Sequence, residues 1–250
     1  MKIKAKIYGL VGRNISYSFS AGYFNKKFAE KKGLENCIYT NFDIKDIKQL
    51  PEIVENTPKL KGLNVTIPYK EEVLPFLDSL SRSAAIIGAV NTIKIFKDGK
   101  LKGYNTDHHG FKKALQPLLK THHTKALILG TGGASKAVAF ALRKMKIEYD
   151  FVSRNATDTI FSYDDLNAEI FSEYQIIINA TPLGTFPIIE ECPPIDYKLF
   201  TDKHIAFDLV YNPAVTKFLR LAKENGATTE NGYAMLVYQA EKAWKVWNEK

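Results

Sequence analysis

The stretch KALILGTGGASKAVAFALRK, residues 125–144, decides the fold. It joins an apolar run at 125–129 to a glycine-rich turn, and alanine, valine and phenylalanine at helical spacing follow. A phosphate site needs this arrangement, because a first glycine permits the tight turn, later glycines let the backbone approach a pyrophosphate, and the helix N-terminus supplies N–H donors. We expect Gly130 to form the turn and Gly132 and Gly133 to lie at the pyrophosphate. Because both the preceding strand and the following helix are indicated, the stretch predicts a dinucleotide site rather than a merely structural turn.

The next strand, predicted at 149–152, carries the choice between the two nicotinamide cofactors. Its carboxyl end should face the adenosine ribose, where an NAD site normally has Asp or Glu. Arg154 stands there instead and offers a guanidinium to a 2′-phosphate, so the sequence favours NADP; the alternative is an ordinary surface arginine. Asp150 lies about 20 residues after the turn, as an NAD-binding acid would. It precedes the apolar pair at 151–152, however, and so comes too early in the strand.

Strand-like and helix-like runs alternate along the whole chain, which predicts an α/β fold with parallel strands. Phe24 and Phe28 lie at helical spacing in a helix predicted over 20–32 that stops at Gly33. Asp-Gly in the segment 97–100 supplies the positive φ of a tight hairpin turn. Strands are predicted at 6–11, 37–42, 62–67, 90–96, 125–129, 149–152, 176–179 and 205–209.

Composition sets limits on the class of protein. With 250 residues and 45% hydrophobic side chains, the chain can form one large domain or two modest ones, each with a core. The net charge of +8 comes from scattered lysines interleaved with carboxylates, which disfavours nucleic-acid binding and fits an anionic ligand. No signal-peptide or membrane-span pattern is present, so no membrane is expected and the cytoplasm is the expected compartment. Cys37 and Cys192 are expected to be reduced thiols, and the adjacent histidines at 108–109 and 122–123 predict no metal site.

Several polar segments stand in apolar or glycine-rich surroundings. Singly, each is explained as a cap, an Asx turn or a satisfied polar group of the core. Together they indicate a ligand with many hydroxyl groups. NVTIPYK at 64–70 is predicted to run as a buried strand, end at Pro68 and carry Lys70 just past the break. The other segments are SYS at 16–18, GAVNT at 88–92, GYNTD at 103–107, NATPLG at 179–184, DLVYNP at 208–213 and NGYAMLVYQA at 231–240.

In this order and nearly end to end, the chain resembles the shikimate dehydrogenase family. The resemblance implies a two-domain α/β fold. An N-terminal, mostly parallel substrate-binding domain over 1–104 is completed by a C-terminal helix at 234–250, and a Rossmann-type NADP-binding domain covers 105–233. A compact boundary is expected within 104–111. The matching motifs are Ser-x-Ser at 16–18, Asn-Val-Thr-x-Pro-x-Lys at 64–70, Gly-Ala-x-Asn-Thr at 88–92, Asn-Thr-Asp at 105–107, the glycine-rich turn at 130–134, Asn-Ala-Thr-Pro-x-Gly at 179–184, Asp-x-x-Tyr-x-Pro at 208–213 and Gly-x-x-Met-Leu-x-x-Gln at 232–239.

The resemblance also implies a reaction, the reversible NADPH-dependent reduction of 3-dehydroshikimate to shikimate in aromatic amino acid (chorismate) biosynthesis. Lys70 is expected to give a proton to the developing alkoxide, or to accept it in reverse, with Asp107 as its partner; the alternative is a solvated surface lysine. The implied substrate-binding residues are Ser16 and Ser18, as hydroxyl donors to a substrate carboxylate, together with Asn64, Thr66, Asn91, Tyr211 and Gln239. The implied cofactor-binding residues are Gly130, Thr131, Gly132, Gly133, Ala134, Ser153, Arg154, Thr181, Leu209 and Gly232.

Some positions depart from the family pattern. Ile15 and Phe19 differ from the residues usual there, which leaves fine substrate selection open. Ser-Arg-Asn at 153–155 replaces the usual Asn-Arg-Thr. The second basic residue that is common a few positions after the arginine is not evident in this chain, where Asp158 stands in the vicinity. Two alternatives therefore stay open: a quinate/shikimate dehydrogenase with relaxed cofactor use, and a non-catalytic NADP-binding sensor. The expected partners are small molecules, and the sequence leaves a homodimer open.

Overall fold

The structure is a computed structural model that describes residues 5–16 and 18–249. Tyr17, in the middle of the Ser-x-Ser motif, lies outside the described residues, as do the predicted domain limits at 1 and 250. Within the described part of the chain, no helix combines the length and the apolarity needed to cross a membrane.

The chain forms two compact units. Unit 1 extends to Thr106 and resumes at Ala240, and unit 2 comprises Asp107–Gln239. Each unit has its own sheet and its own hydrophobic core. The predicted two-domain α/β fold is confirmed, whereas the ligand assigned to each predicted domain stays a prediction.

Unit 1 is built on a mixed sheet. Its elements are β1 (Lys6–Gly12), α1 (Phe19–Glu30), β2 (Cys37–Asp43), α2 (Leu50–Asn56), β3 (Leu60–Val65), β4 (Ser79–Leu80), α3 (Arg82–Ile87), β5 (Thr92–Ile95) and β6 (Leu101–Tyr104). The strand order is β2-β1-β3-β5-β6-β4. β1 lies parallel between β2 and β3, whereas β5 runs antiparallel to both β3 and β6. The carboxyl ends of the first three strands therefore meet at one edge of the sheet.

Unit 2 is built on a parallel sheet. Its elements are α4 (Asp107–Leu115), β7 (Lys125–Leu129), α5 (Gly133–Lys144), β8 (Glu148–Val152), β9 (Ile160–Phe161), α6 (Ala168–Glu173), β10 (Ile176–Asn179), β11 (Ile205–Asp208), α7 (Lys217–Glu224), β12 (Thr228–Glu230) and the start of α8 (Tyr233–Asn248). The strand order is β12-β11-β10-β7-β8-β9, and each neighbouring pair is parallel. The chain thus winds outward from β7 in both directions, which is the Rossmann order, and its switch point lies between β7 and β10.

The central strands of unit 2 are apolar because both faces of their sheet are covered. Leu127, Ile128, Ile177 and Ile178 are fully buried, and the clusters on the two faces contain residues from α4 and α5 on one side and α6 and α7 on the other. Such strands read as continuous apolar runs, which is why β7 and β10 have the predicted bounds. β4, β6, β9 and β12 were not predicted as strands, because they lack the continuous apolar run that indicated β10, which itself has only four residues.

Several predicted element bounds in unit 1 are wrong by up to two residues, and one turn is confirmed. β3 starts at Leu60 rather than at 62, and β5 covers Thr92–Ile95 rather than 90–96. β3 ends at Val65, two residues earlier than predicted, and Ile67 is 71% exposed instead of continuing the buried strand. α1 ends at Glu30 because Lys31 is already extended, so Gly33, with a φ of 89°, lies in the turn beyond the helix. The hairpin between β5 and β6 is confirmed, since Gly99 has a φ of 86°.

The last turns of α8 form part of the core of unit 1. The Trp247 indole N–H donates to Ile93 O at 3.0 Å. Its ring fills the space beside Gly62, where an added Cβ would lie 2.2 Å from the indole. The rings of Tyr8 and Phe24 lie 5.0 and 5.4 Å from the Trp247 ring, between centroids. An aromatic cluster therefore anchors the C-terminal helix within this unit.

Candidate active site

Buried amides lie at the carboxyl end of β3 in unit 1. Asn64 is 4% exposed, and its Oδ1 accepts a hydrogen bond from the Tyr39 phenol at 2.8 Å. Its Nδ2 donates to Asn91 O at 3.1 Å and to Thr92 Oγ1 at 3.2 Å. Asn91 Oδ1 accepts from the Thr106 backbone N–H at 2.7 Å. The protein therefore fixes the orientation of both predicted amides, which suits them to recognise the hydroxyls of a rigid ligand.

Tyr39 and Thr106 belong to this network and were not predicted as site residues. Burial raises the pKa of the Tyr39 phenol, so it stays a neutral donor to Asn64. Thr106 is 1% exposed and donates from Oγ1 to Asn91 Oδ1 at 3.2 Å. The Asn-Thr-Asp motif could have indicated Thr106, but Tyr39 lies on another strand and no motif near it points to Asn64.

The turn after β3 leads to Lys70. The Tyr69 N–H donates to Thr66 O at 2.9 Å, which closes a turn directly after the strand. The Val90 N–H donates to Lys70 O at 2.7 Å, so the Lys70 backbone is tied to the segment that continues into Asn91. The Lys70 side chain is partly exposed, as a group that exchanges protons with a ligand must be.

Two predicted serines lie where β1 passes into α1. Ser18 is the N-cap of the helix, and its Oγ accepts a backbone N–H of the first turn at 3.2 Å. Ser16 is exposed in the preceding loop. That loop is held by Asp43, whose carboxylate accepts the N–H groups of Asn14 and Ile15 at 2.8 and 3.1 Å. Hydroxyls at a helix N-terminus suit an anion, so this geometry is compatible with the predicted carboxylate site, which stays a prediction.

The glycine-rich turn lies at the carboxyl end of β7 in unit 2. Gly130 has a φ of 105°, and a Cβ there would lie 3.1 Å from Thr181 Cγ2. Gly132 is the N-cap of α5, makes no side-chain hydrogen bond to the first turn, and has open space where a Cβ would be. Thr131 is exposed and Ala134 is partly buried. The first-turn N–H groups of α5 can therefore bind an anion, and the cradle fits the pyrophosphate of a dinucleotide.

Ser153 and Arg154 directly follow β8. Arg154 is exposed and lies near the Tyr163 phenol. Burial raises the pKa of Tyr163, and the positive charge of Arg154 partly opposes this rise. Asp150 is already engaged, because its Oδ2 accepts the Tyr174 hydroxyl at 2.6 Å. It also lies two residues before the end of the strand. The residues directly after the strand are therefore a serine and an arginine, and the Arg154 guanidinium favours a 2′-phosphate.

A second buried network connects the ends of β10 and β11. Asp208 is fully buried; its Oδ1 accepts Asn179 Nδ2 and the Val210 N–H, both at 3.0 Å, and its Oδ2 accepts Thr216 Oγ1 at 2.5 Å. Burial raises the pKa of Asp208 to about 7, although these hydrogen bonds oppose the shift. Asn179 Oδ1 accepts both the N–H and the hydroxyl of Thr181, at 3.0 and 2.6 Å. Asp208 was not predicted as a site residue, although an acidic residue at the end of an apolar strand could have indicated it.

Leu209 and Gly232 contact each other at the same edge of the sheet. A Cβ on Gly232 would lie 2.1 Å from Leu209 O, so only glycine fits there. The Leu209 N–H donates to Asn179 O at 2.9 Å, and the Gly232 N–H donates to Val210 O at 3.0 Å. The structure thus brings Leu209, Gly232 and Thr181 to the carboxyl edge of the sheet, where ligands bind in this class of fold.

Asp107 and Gln239 lie on adjoining helices of unit 2. Asp107 opens α4 and is 6% exposed, and Gln239 on α8 is 7% exposed. The two helices meet at Gly110, where a Cβ would lie 3.0 Å from Gln239 N. Gly110 lies about one helical turn after Asp107 on α4. Asp107 is therefore about one turn away from the point where α4 meets Gln239. Tyr211 is partly buried after β11. The predicted partnership of Asp107 with Lys70 stays a prediction.

The chain is similar to known proteins along nearly its whole length. The family profile described as "Shikimate dehydrogenase substrate binding domain" matches residues 10–93. The shikimate dehydrogenase (NADP(+)) of Caldicellulosiruptor saccharolyticus is 37% identical, covering 97% of this chain and 91% of its own length. The shikimate 5-dehydrogenase of Listeria monocytogenes, solved with shikimate and NAD, is 30% identical with a TM-score of 0.85, covering 98% of this chain and 92% of its own. That of Thermus thermophilus, solved with NADP(H) and shikimate, is 30% identical with a TM-score of 0.83, covering 97% and 93%.

Unit 2 has the Rossmann strand order and the glycine cradle, and unit 1 has a mixed sheet of its own. These features define a two-domain α/β protein with a Rossmann-type dinucleotide-binding unit. The full-length similarity is more specific. The chain belongs to the shikimate dehydrogenase family. The resemblance predicted from the ordered motifs is confirmed.

Proposed function

We propose that this chain is an NADP-dependent shikimate dehydrogenase that reversibly reduces 3-dehydroshikimate to shikimate, in aromatic amino acid biosynthesis in the cytoplasm. The observation that supports it best is the full-length similarity to proteins named shikimate dehydrogenase (NADP(+)). In this proposal unit 1 binds the substrate and unit 2 binds NADP. The family profile that describes a substrate-binding domain matches a range within unit 1, and the glycine cradle lies in unit 2.

Lys70 exchanges the proton in the proposed reaction. NADP, when bound, supplies or accepts the hydride. The Lys70 ammonium gives a proton to the oxygen of the ketone as it becomes an alcohol, and the neutral amine takes that proton back in the oxidative direction. Asp107 is assigned, on the family motif, as the carboxylate partner that orients the Lys70 ammonium.

Substrate recognition is assigned to hydroxyls and fixed amides. Ser16 and Ser18 donate to the substrate carboxylate, together with the Tyr211 phenol. The ring hydroxyls are read by Asn64, Thr66, Asn91 and Gln239. The hydrogen bonds that fix Asn64 and Asn91 support this assignment, because amides that cannot reorient penalise a ligand with misplaced hydroxyls.

Cofactor binding is assigned to the carboxyl edge of the sheet in unit 2. The first-turn N–H groups of α5 bind the pyrophosphate, and Ser153 and Arg154 bind the 2′-phosphate. Thr181, Leu209 and Gly232 are assigned to the nicotinamide end. The residues of the phosphate cradle are Gly130, Thr131, Gly132, Gly133 and Ala134.

A cofactor and substrate panel tests the proposal. Purified protein is mixed with shikimate or quinate and with NADP+ or NAD+, and the absorbance of the reduced cofactor is followed. Fast reduction of NADP+ that depends on shikimate is expected. No turnover with any pair, together with measurable binding of NADP+, would contradict the proposal and support a sensor.

A relaxed enzyme is the second candidate. The Listeria relative that was solved with shikimate and NAD favours it, because that protein takes both ligands at 30% identity to this chain. The same panel separates the two candidates through the ratio of kcat/KM for NADP+ over NAD+, and for shikimate over quinate. Ratios near one favour the relaxed enzyme. Light scattering on the same preparation decides whether the chain forms a homodimer.

A further inference from the structure

The buried carboxyl of Asp208 joins the ends of two neighbouring strands of unit 2, β10 and β11. It ends β11, where Oδ1 holds the next turn through the Val210 N–H and Oδ2 holds Thr216, the N-cap of α7. Across the sheet, Asp208 is the register partner of Asn179 at the end of β10, and Asn179 Nδ2 donates to its Oδ1. Asn179 Oδ1 in turn accepts hydrogen bonds from the backbone N–H and from the hydroxyl of Thr181.

Thr181 carries this connection to the glycine cradle after β7. Its Cγ2 lies 3.1 Å from the position that a Cβ on Gly130 would take, so the methyl group occupies the space beside this turn residue. A displacement of Thr181 would therefore open or crowd the turn that leads into α5. Three hydrogen bonds lead from Asp208 through Asn179 to Thr181, and they start from two fully buried side chains, those of Asp208 and Asn179.

We propose that Asp208 is a positioning residue for NADP: through Asn179 and Thr181 it fixes the shape of the cradle. The proposal deepens the proposed function and rests on it for the identity of the ligand. Asp208 does not contact the reacting atoms in this account.

The hydrogen bonds of Asp208 are compatible with two charge states. Its pKa is raised to about 7, so both forms are populated near neutral pH. In the neutral form, a proton on Oδ2 is donated to Thr216 Oγ1, which also accepts the Leu219 N–H at 3.3 Å, while Oδ1 keeps its two donors. The ionised form adds a buried negative charge at the edge where a polyanionic cofactor binds. NADP should therefore bind more weakly as Asp208 ionises.

The surroundings of Asp208 contain a further titratable group. Burial is the main cause that raises the pKa of Tyr197, in the short 3-10 turn Tyr197–Leu199; Cys192 raises this pKa next, and the charges of Asp208 and Tyr163 contribute less. Tyr197 is therefore neutral at the pH values of interest. Cys192 forms a hydrogen bond with Tyr197, and the other partners of Asp208, which are Asn179, Thr216 and the Val210 N–H, carry no charge.

Binding of NADP+ without shikimate tests the inference. Calorimetry gives Kd at pH 6, 7 and 8 for the wild type, Asp208→Asn and Asp208→Ala. Asp208→Asn keeps an acceptor for Asn179 and the Val210 N–H and is always neutral. We expect the ratio of wild-type Kd to D208N Kd to be near one at pH 6 and to rise about fivefold by pH 8. The phosphate of NADP+ titrates equally in both measurements, so its effect on Kd cancels in this ratio. Asp208→Ala should weaken binding about tenfold at every pH.

A destabilising variant of the unit 2 core serves as the control. Phe171→Leu, in α6, should lower Tm without changing Kd. A D208N ratio that does not vary with pH overturns the charge-state inference, and this result does not require D208A to fold. Wild-type affinity in folded D208A overturns the positioning role. Because the measurement omits shikimate, a protein that binds NADP+ normally but does not turn over shikimate contradicts the proposed function and leaves this inference intact.

Discussion

The Tyr39 phenol donates to Asn64 Oδ1 at 2.8 Å in the core of unit 1. Because Nδ2 of the same amide donates to the segment 91–92, the bond from Tyr39 occupies the remaining end of the side chain and fixes it in one orientation. The oxygen of Asn64 keeps one further lone pair. A substrate hydroxyl that meets Asn64 is therefore expected to act as the donor.

Tyr39→Phe tests this relationship. The change removes one donor and leaves the buried oxygen of Asn64 without its partner, which costs about 1–2 kcal/mol of unfolding free energy. KM for shikimate should rise about fivefold because the amide can then reorient, while Kd for NADP+ should not change. Steady-state kinetics and urea unfolding measure both effects. Tyr104→Phe, which removes a partly buried phenol of the same unit, should leave KM unaltered.

A pair of glycine variants separates folding from phosphate binding. Gly130→Ala puts a Cβ at a φ of 105° and 3.1 Å from Thr181 Cγ2, so it should cost about 1–3 kcal/mol of stability and also weaken NADP+ binding. Gly132→Ala has an ordinary φ of −76° and open space around the added methyl. It should lower Tm by less than Gly130→Ala does, since alanine only replaces glycine at the N-cap of α5. It should weaken NADP+ binding because the methyl group obstructs the phosphate. Unchanged Kd in G132A would contradict the assignment of the cradle.

Arg154→Gln tests the choice of cofactor. Removal of the guanidinium should raise Kd for NADP+ about tenfold, the effect of losing one charge-assisted contact, and leave Kd for NAD+ as it was. Calorimetry with both nucleotides gives the answer. Asp150→Asn is the matched control, since it weakens the contact with Tyr174 at the end of α6 and should not alter the preference. An equal loss for both nucleotides would show that Arg154 does not contact the 2′-phosphate.

Much of unit 2 could be predicted from the chain, because β7 and β10 are apolar runs without polar interruptions and the glycine turn has strict requirements. The partnership of Tyr39 with Asn64 could not, since it joins two strands whose register depends on the whole sheet of unit 1. The network of Asp208 is similar: only the pairing of β10 with β11 brings Asn179 opposite it. Local sequence patterns therefore indicated candidate site residues such as Asn64. The pairing of strands in the folded sheets decides which residues their side chains contact.

The stability of the protein should depend on pH through Asp208. The pKa of this carboxyl rises from an ordinary value of 3.8 in the unfolded chain to about 7 in the folded protein, so the unfolded state loses the proton first. The contribution to stability is complete below pH 3.8 and is lost as the pH rises to about 7, after which it is constant. Urea unfolding at pH 5, 6, 7 and 8 should therefore show the wild type losing stability relative to Asp208→Asn over this range. A difference that stays constant would contradict the raised pKa.

The central claim, that Lys70 exchanges the proton in shikimate oxidation, is tested most directly by Lys70→Ala. Initial rates of NADP+ reduction are measured at saturating shikimate, and shikimate binding is measured by calorimetry on the same protein. Lys48→Ala, an exposed lysine of the same unit, is the control and should behave as the wild type. We predict that kcat of the Lys70 variant falls about 1,000-fold while Kd for shikimate changes less than about threefold. A kcat close to that of the wild type, with normal binding, would contradict the account.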